Sequence, residues 1–368
     1  MEIKILQEKL AKALNHVSKV VAGGRATLPI LNNVLIRVDD KKVSLTTTNL
    51  DMAVVDYLSV IDSKNGVVTV PARLIAEFVA NLPKGETVTL AAENEKVTVK
   101  TDRYNSVLNG TLADDFPELP GMDEGKTVKF TLSVEDFKTG LSQVMVAASN
   151  DMARPALTGV YFNTTDDTLY VAATDGYRLA ERKLVEKVGV EVAAVVPTAS
   201  LRAVLSLLDD NVEEVEILFD EAQVKFRLNE VEVTSKLVDG SFPDYRQLIP
   251  KDSEIKVDLK RDELVRVTKL AALFAREVGG SVVCSTKAED GTFAIASVAN
   301  ELGENNSEIK TEVEVDGKVT LNSRFLLDAL NVLEGKTVKV GFSNKLDPIV
   351  LKSEQDAGYI HIIMPLKG

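Results

Sequence analysis

"VPARLIAEFVANLPKGETVTL", residues Val70–Leu90, decides how this chain is organised. It reads as a short polar start, an amphipathic helix of about three turns, a polar turn and then alternating strand residues. The same grammar returns in "VPTASLRAVLSLLDDNVEEVEIL" from Val196 and in "LNSRFLLDALNVLEGKTVKVGF" from Leu321, at offsets of 126 and 125 residues. A period of that size is an internal repeat, and a repeat fixes the architecture before any single element does.

Working outward, a second set precedes the first. "LQEKLAKALNHVSKVV", "LSVEDFKTGLSQVMVAA" and "LKRDELVRVTKLAALFA" start at Leu6, Leu132 and Leu259, with Leu10, Phe137 and Leu264 spaced 127 apart. Ser133 and Asp136 form a near capping box at the start of the second of these helices. Phe116-Pro117 and Phe242-Pro243 close the first two repeats, and Met364-Pro365 closes the third. Between the helices, "NNVLIRVDDKKVSLTTT", "TGVYFNTTDDTLYVAAT" and "GSVVCSTKAEDGTFAIAS" alternate around Asp-Asp or Asp-Gly turns, as hairpins do. The expectation is an α+β fold of three repeated domains, each with two helices packed on antiparallel sheet. The boundaries are 1–125, 126–250 and 251–368, with "PGMDEGKT" and "LIPKDSE" as linkers.

Composition narrows the function classes. The single Cys284 excludes an intrachain disulfide framework, and His16 and His361 stand alone, without metal-ligand spacing. Neither a metal nor a cofactor is expected. "MEIKILQEKLAK" is too charged for a signal peptide, and no apolar run reaches the 18 or so residues of a membrane span, so a cytoplasmic setting and no membrane partner are expected. The net charge of −13 is spread along the chain: 14 basic against 17 acidic residues over 1–125, 13 against 20 over 126–250, and 16 against 19 over 251–368.

"TDGYR", Thr174–Arg178, holds an acid, a phenol and a cation around a glycine. A catalytic reading would use Asp175, Tyr177 and Arg178. However, Asp175-Gly176 lies between strand-like runs, where a two-residue hairpin turn wants those residues, and no nearby His tunes an acid or base. The acidic pairs Asp114-Asp115, Asp166-Asp167 and Asp209-Asp210 read as turns, and no phosphate-loop motif occurs. No catalytic site is expected.

The first helix of two repeats runs against the acidic average. Lys4, Lys9, Lys12, Lys19 and Arg25 face only Glu8 over residues 4–25, while Lys260, Arg261, Arg266, Lys269 and Arg276 face Asp262 and Glu263 over 260–276. Two basic helices at equivalent repeat positions suggest a shared polyanion-facing surface that meets phosphates without reading sequence.

With the repeat, "TDGYRLA", "SKLVDGSFPDYR", "TLPIL", "VPAR" and the terminal "MPL" together, the chain resembles the bacterial DNA polymerase III β subunits, the sliding clamps, over essentially its whole length. That resemblance implies a head-to-tail homodimeric ring whose helices line a hole around duplex DNA. It implies DNA-facing roles for Lys9, Lys12, Arg25, Arg73, Arg202 and Lys269, and a dimer interface at Leu108, Leu273 and Phe274. It further implies a pocket for linear peptide motifs of the replicative polymerase subunit, the clamp loader and repair polymerases. The matched positions are Leu157, Thr174, Gly176, Tyr177, Arg178, Leu179, Pro243, Gln247 and Leu248, joined by Phe325, Leu346, Pro348, Ile362, Met364, Pro365 and Leu366. Gln247 stands where some members carry a basic residue, and Pro155-Ala156 where some carry an aromatic pair; the ending Lys367-Gly368 is also unusual. The competing readings are an enzyme at the TDGYR turn and a monomeric scaffold that never encircles DNA.

Overall fold

The computed structural model describes residues 1–21, 28–40, 42–119, 121–122, 125 and 127–366. Six α-helices occur among them, two per repeat: α1 (Gln7–Ser18), α2 (Ala72–Ala80), α3 (Val134–Met145), α4 (Thr198–Leu207), α5 (Arg261–Ala275) and α6 (Ser323–Val332). Helix α1 shows why these stretches are helical and where they pack. Leu10, Ala13, Leu14 and Val17 recur at three- and four-residue spacing, all buried, while Glu8, Lys9 and Lys12 are exposed. Helix α6 has a side-chain cap, Asn322 accepting the Arg324 N–H at 2.9 Å.

The strands repeat as faithfully. The strand before each first helix pairs with the strand after each second helix: Glu2–Leu6 with Thr87–Glu93, Val128–Ser133 with Glu214–Phe219, and Ile255–Lys260 with Thr337–Phe342. The hairpins recur likewise, with Asn33–Asp39, Gly159–Thr165 and Ser281–Lys287 each flanked by the strand that leads into the second helix. Every repeat thus contributes two half-sheets. Their inward positions are Val, Ile and Leu, such as Ile3, Ile5, Val88 and Leu90, all essentially inaccessible. Each such side chain contributes about 1.5–3 kcal/mol on burial.

Half-sheets of successive repeats then join edge to edge. In the eight-stranded sheet of the first compact unit (1–134 with 199–237), the middle repeat's Val231–Lys236 pairs with Met52–Leu58 of the first repeat. In the second unit (135–198 with 238–368), the third repeat's Asp356–Ile363 pairs with Arg178–Glu186 of the middle one. Packing therefore groups the chain in two, while its sequence counts to three. Among the described residues, two half-sheets have no such partner. The five-stranded sheet ends on Asn105–Asn109, and the four-stranded sheet ends on Gly303–Lys310. By repeat position these two edge strands are the counterparts of the strands that meet at the two joints.

Candidate functional site

The corner at the second joint holds the TDGYR sequence. Its strands are Thr168–Thr174 and Arg178–Glu186, with Thr174 paired to Leu179, so the connection is longer than the two-residue turn expected from Asp-Gly. The reason is side-chain capping. Asp175 Oδ1 accepts the N–H groups of Tyr177 (2.9 Å) and Arg178 (3.0 Å), and the Thr174 hydroxyl donates to the Arg178 carbonyl at 2.6 Å. Gly176 takes φ +90°, which side-chain-bearing residues seldom adopt.

Arg178 is only 9% exposed and its charge is fully answered. Nε meets Asp175 Oδ2 at 3.0 Å, Nη1 meets Asp328 Oδ2 at 2.6 Å, and the guanidinium lies 4.4 Å from the Phe325 ring centroid. Asp175 is thus committed to the backbone and to Arg178, an arrangement that holds a turn rather than moving protons. Asp328 escaped the sequence reading, although it lies one helical turn beyond Phe325 on α6 and shares its face.

An apolar wall continues from the turn across the joint. Leu179 pairs with Ile362, and Ile362 with Val350, and these side chains form one buried cluster with Ala172, Tyr245 and Ile360. Tyr161, Phe242 and Ile249 pack against it, Phe242 stacking on Tyr161 with centroids 4.8 Å apart. The backbone seals the corner, since Met364 N–H donates to the Tyr177 carbonyl at 2.8 Å. Around this wall the surface is exposed and apolar: Tyr177 (60% exposed), Leu248, Leu346 and Met364. Tyr245 also donates to Glu181 at 2.5 Å, and burial followed by the Glu181 charge pushes its phenol well above the usual value. Behind the wall His361 is fully buried, with Nδ1 at 2.8 Å from the Tyr359 hydroxyl. Burial first, and the Arg178 charge second, lower its pKa to about 3.

The sixteen expected pocket positions all fall in this second unit. Thr174, Gly176, Tyr177, Arg178, Leu179, Phe325, Ile362 and Met364 are linked by the contacts above. Pro348 directly precedes the strand Ile349–Ser353, whose Ile349 pairs with Ile363, so it lies at the same sheet end. Leu157 is buried, its carbonyl accepting the Ser149 N–H. Pro243, Gln247 and Leu248 are exposed on the segment that carries Phe242 and Tyr245. Pro365 and Leu366 are half-buried, Leu366 N–H donating to Thr320.

Of the other expected positions, Lys9, Lys12, Arg73, Arg202 and Lys269 are exposed on α1, α2, α4 and α5. Arg25 lies outside the described residues, as do Lys367 and Gly368. Leu273 is exposed and Phe274 half-buried. Leu108 is 9% exposed and turned into its own sheet, and alternation gives the outward place on the same strand to Val107, 57% exposed. No cluster of metal-ligating side chains and no helix long and apolar enough to cross a membrane occurs among the described residues.

Profiles of the DNA polymerase III beta subunit match in succession, the N-terminal domain over 1–120, the central domain over 131–244 and the C-terminal domain over 246–367. The chain belongs to the DNA polymerase III β subunit family, the DNA sliding clamps. The β sliding clamp of Staphylococcus aureus (strain Mu50) is 30% identical over 100% of this chain and 99% of its own. Among solved sliding clamps, that of Bacillus subtilis superposes with a TM-score of 0.93 at 30% identity, covering 100% of this chain and 99% of the other. The DNA polymerase III subunit beta of Pseudomonas aeruginosa gives 0.95 at 26% identity over the full length of both chains. The threefold repeat is therefore the three-domain plan of a sliding clamp.

Proposed function

We propose that this sliding clamp works as a head-to-tail homodimeric ring that encircles duplex DNA without reading its sequence. One observation carries the reading. The half-sheet joint occurs twice within the chain, and the two strands that would make a third are left as free edges, Asn105–Asn109 and Gly303–Lys310. A free edge is a template for pairing. Two different complementary edges on one protomer make a heterologous contact, which closes into a ring when the rotation allows. Exposed apolar side chains accompany both: Tyr104 and Val107 at one edge, Leu273, Val298 and Leu302 near the other. Arg103 flanks the first edge, and Glu304 and Glu308 lie on the second. In this reading the strand around Leu108, with Val107 turned outward, makes the contact, with Leu273 and Phe274 opposite.

The three clamp domains then follow the repeat, 1–125, 126–250 and 251–368. Lys9, Lys12, Arg25, Arg73, Arg202 and Lys269 face the DNA, and the acidic balance elsewhere discourages binding outside the hole. The corner around Tyr177 receives short linear peptides of the replicative polymerase subunit, clamp loader and repair polymerases. An apolar wall with a few fixed polar groups suits such a ligand. The protein works in the cytoplasm as a processivity factor with no chemistry of its own.

The test is retention on primed circular DNA after loading, before and after linearisation, with the mass measured in parallel. A dimer retained on circles and lost from cut ends is expected. Val107→Glu should reduce the mass to that of one protomer and abolish retention. Equal salt-sensitive loss from circle and line would overturn the ring, and a concentration-independent protomer mass would favour the scaffold reading.

A further inference from the structure

Lys9, Lys12 and His16 of α1 and Lys19 at its C-terminal cap are spaced by three, four and three residues, which places them on one helix face. Three of the four are engaged within their own unit. Lys12 Nζ lies 2.6 Å from Asp209 Oδ2, His16 Nδ1 lies 2.7 Å from Asp56 Oδ2, and Lys19 Nζ donates to the Ser206 carbonyl at 2.5 Å. Lys9, Lys12, His16, Asp56 and Asp209 all line one cleft of about 260 Å³. On α5, Arg261 is engaged too, its Nη1 donating to the Leu333 carbonyl at 2.9 Å, but the other two cations differ. Among the described residues Arg266 and Lys269 have no hydrogen-bond or ion-pair partner, and both are exposed.

Asp209 is not a loose surface carboxylate. It sits just beyond α4, where its Oδ1 accepts the Asn211 N–H at 3.0 Å, and this leaves Oδ2 aimed at Lys12. Its side chain is 34% exposed, so the pair is open to competition from a solvent-borne anion. The hydrogen bond from Lys12 holds the carboxyl below its usual range, so it stays charged wherever the clamp works. The neighbouring Asp210 is exposed and has no such partner among the described residues.

We propose that Asp209 is an intramolecular competitor of the DNA phosphates for Lys12, weakening the grip of α1 on the duplex so that the ring can slide. The proposal rests on the sliding-clamp reading in which α1 faces DNA. A free lysine that meets a phosphate releases a condensed counterion and adds to affinity and salt dependence. A lysine already held by a carboxylate only exchanges one anion for another, and the displaced carboxylate then repels the phosphate. The net gain from that contact is small, which suits a surface that must bind everywhere and hold nowhere.

The experiment is equilibrium binding of the intact protein to a fluorescent linear duplex across a salt series. Asp209→Asn should tighten binding at low salt by about three- to fivefold, the range a partly exposed ion pair can supply. It should also steepen the slope of log affinity against log salt by about 0.9, one added phosphate contact. Asp210→Asn changes the net charge equally and should leave the slope unchanged. Adding Lys12→Ala to Asp209→Asn should remove the gain. Equal effects of the two Asp substitutions, no gain from Asp209→Asn, or a gain that survives Lys12→Ala would each overturn the proposal. Failure of the unsubstituted protein to be retained on closed circles is a separate result, and would overturn the clamp reading and this proposal with it.

Discussion

The turn at Asp175–Arg178 has a twin at Asn49–Met52, at the first joint. There the Thr48 hydroxyl donates to the Met52 carbonyl at 2.9 Å, and Asn49 Oδ1 accepts the N–H groups of Asp51 and Met52 at 3.1 and 2.8 Å. Leu50 takes φ +76° where Gly176 takes +90°. Lys236 N–H donates to the Asp51 carbonyl at 2.8 Å, as Met364 does to Tyr177. The backbone is the same device built twice, so the geometry of the turn belongs to the joint and carries no function by itself. What sets the second corner apart is a buried cation with two carboxylates, a histidine behind the wall and an aromatic cluster beside it. Those additions are where the peptide-binding reading rests.

The comparison can be broken at His361, whose counterpart beside the first joint is the buried Val233. Arg178, Arg182, Asp356 and Tyr359 are the charged and titratable groups around it. Its folded pKa of about 3 lies below the unfolded value, so the unfolded chain binds the extra proton between pH ~6.5 and ~3. Stability is complete above that window and falls on acidification by about 1.4 kcal/mol per pH unit, up to ~5 kcal/mol in all. His361→Val should flatten that part of the unfolding profile. An unchanged acid limb would show that other groups govern it.

Next comes the cation. Met52→Arg would place a guanidinium in a buried position beside neutral Asn49, at a cost of about 3 kcal/mol in unfolding free energy. Pairing it with Asn49→Asp should recover part of that loss. The reverse substitution, Arg178→Met, leaves Asp175 capped by backbone but Asp328 unpaired. A cost of about 1–2 kcal/mol is expected because Asp328 reaches water, together with weaker capture of a polymerase-derived peptide in a binding titration. If Arg178→Met bound peptide normally, the corner would be a joint and nothing more.

The smallest effects test the shared backbone. Leu50→Gly relieves a left-handed residue but loosens the unfolded chain, for a net gain of about 0.5 kcal/mol. Gly176→Ala should lose about 1 kcal/mol, since φ is +90° and the added methyl would meet Arg154 Nη1 at 3.3 Å. Thermal unfolding of the two variants, read side by side, checks whether the turns are energetically as well as geometrically alike.

By itself the sequence determined the repeat, the α+β class, the helix faces and the basic character of α1 and α5. These properties depend on residues three, four or two positions apart, and local periodicity states them directly. Tertiary structure decided the rest. The joints pair Arg178–Glu186 with Asp356–Ile363 and Met52–Leu58 with Val231–Lys236, and no local pattern encodes contacts across such distances in the chain. For the same reason Asp328 as the second anchor of Arg178, Asp209 as the partner of Lys12, and the inward turn of Leu108 could be found only once the strands were in register. A one-residue shift of register exchanges the two faces of a strand, and only the packed sheet settles which side chain meets the outside.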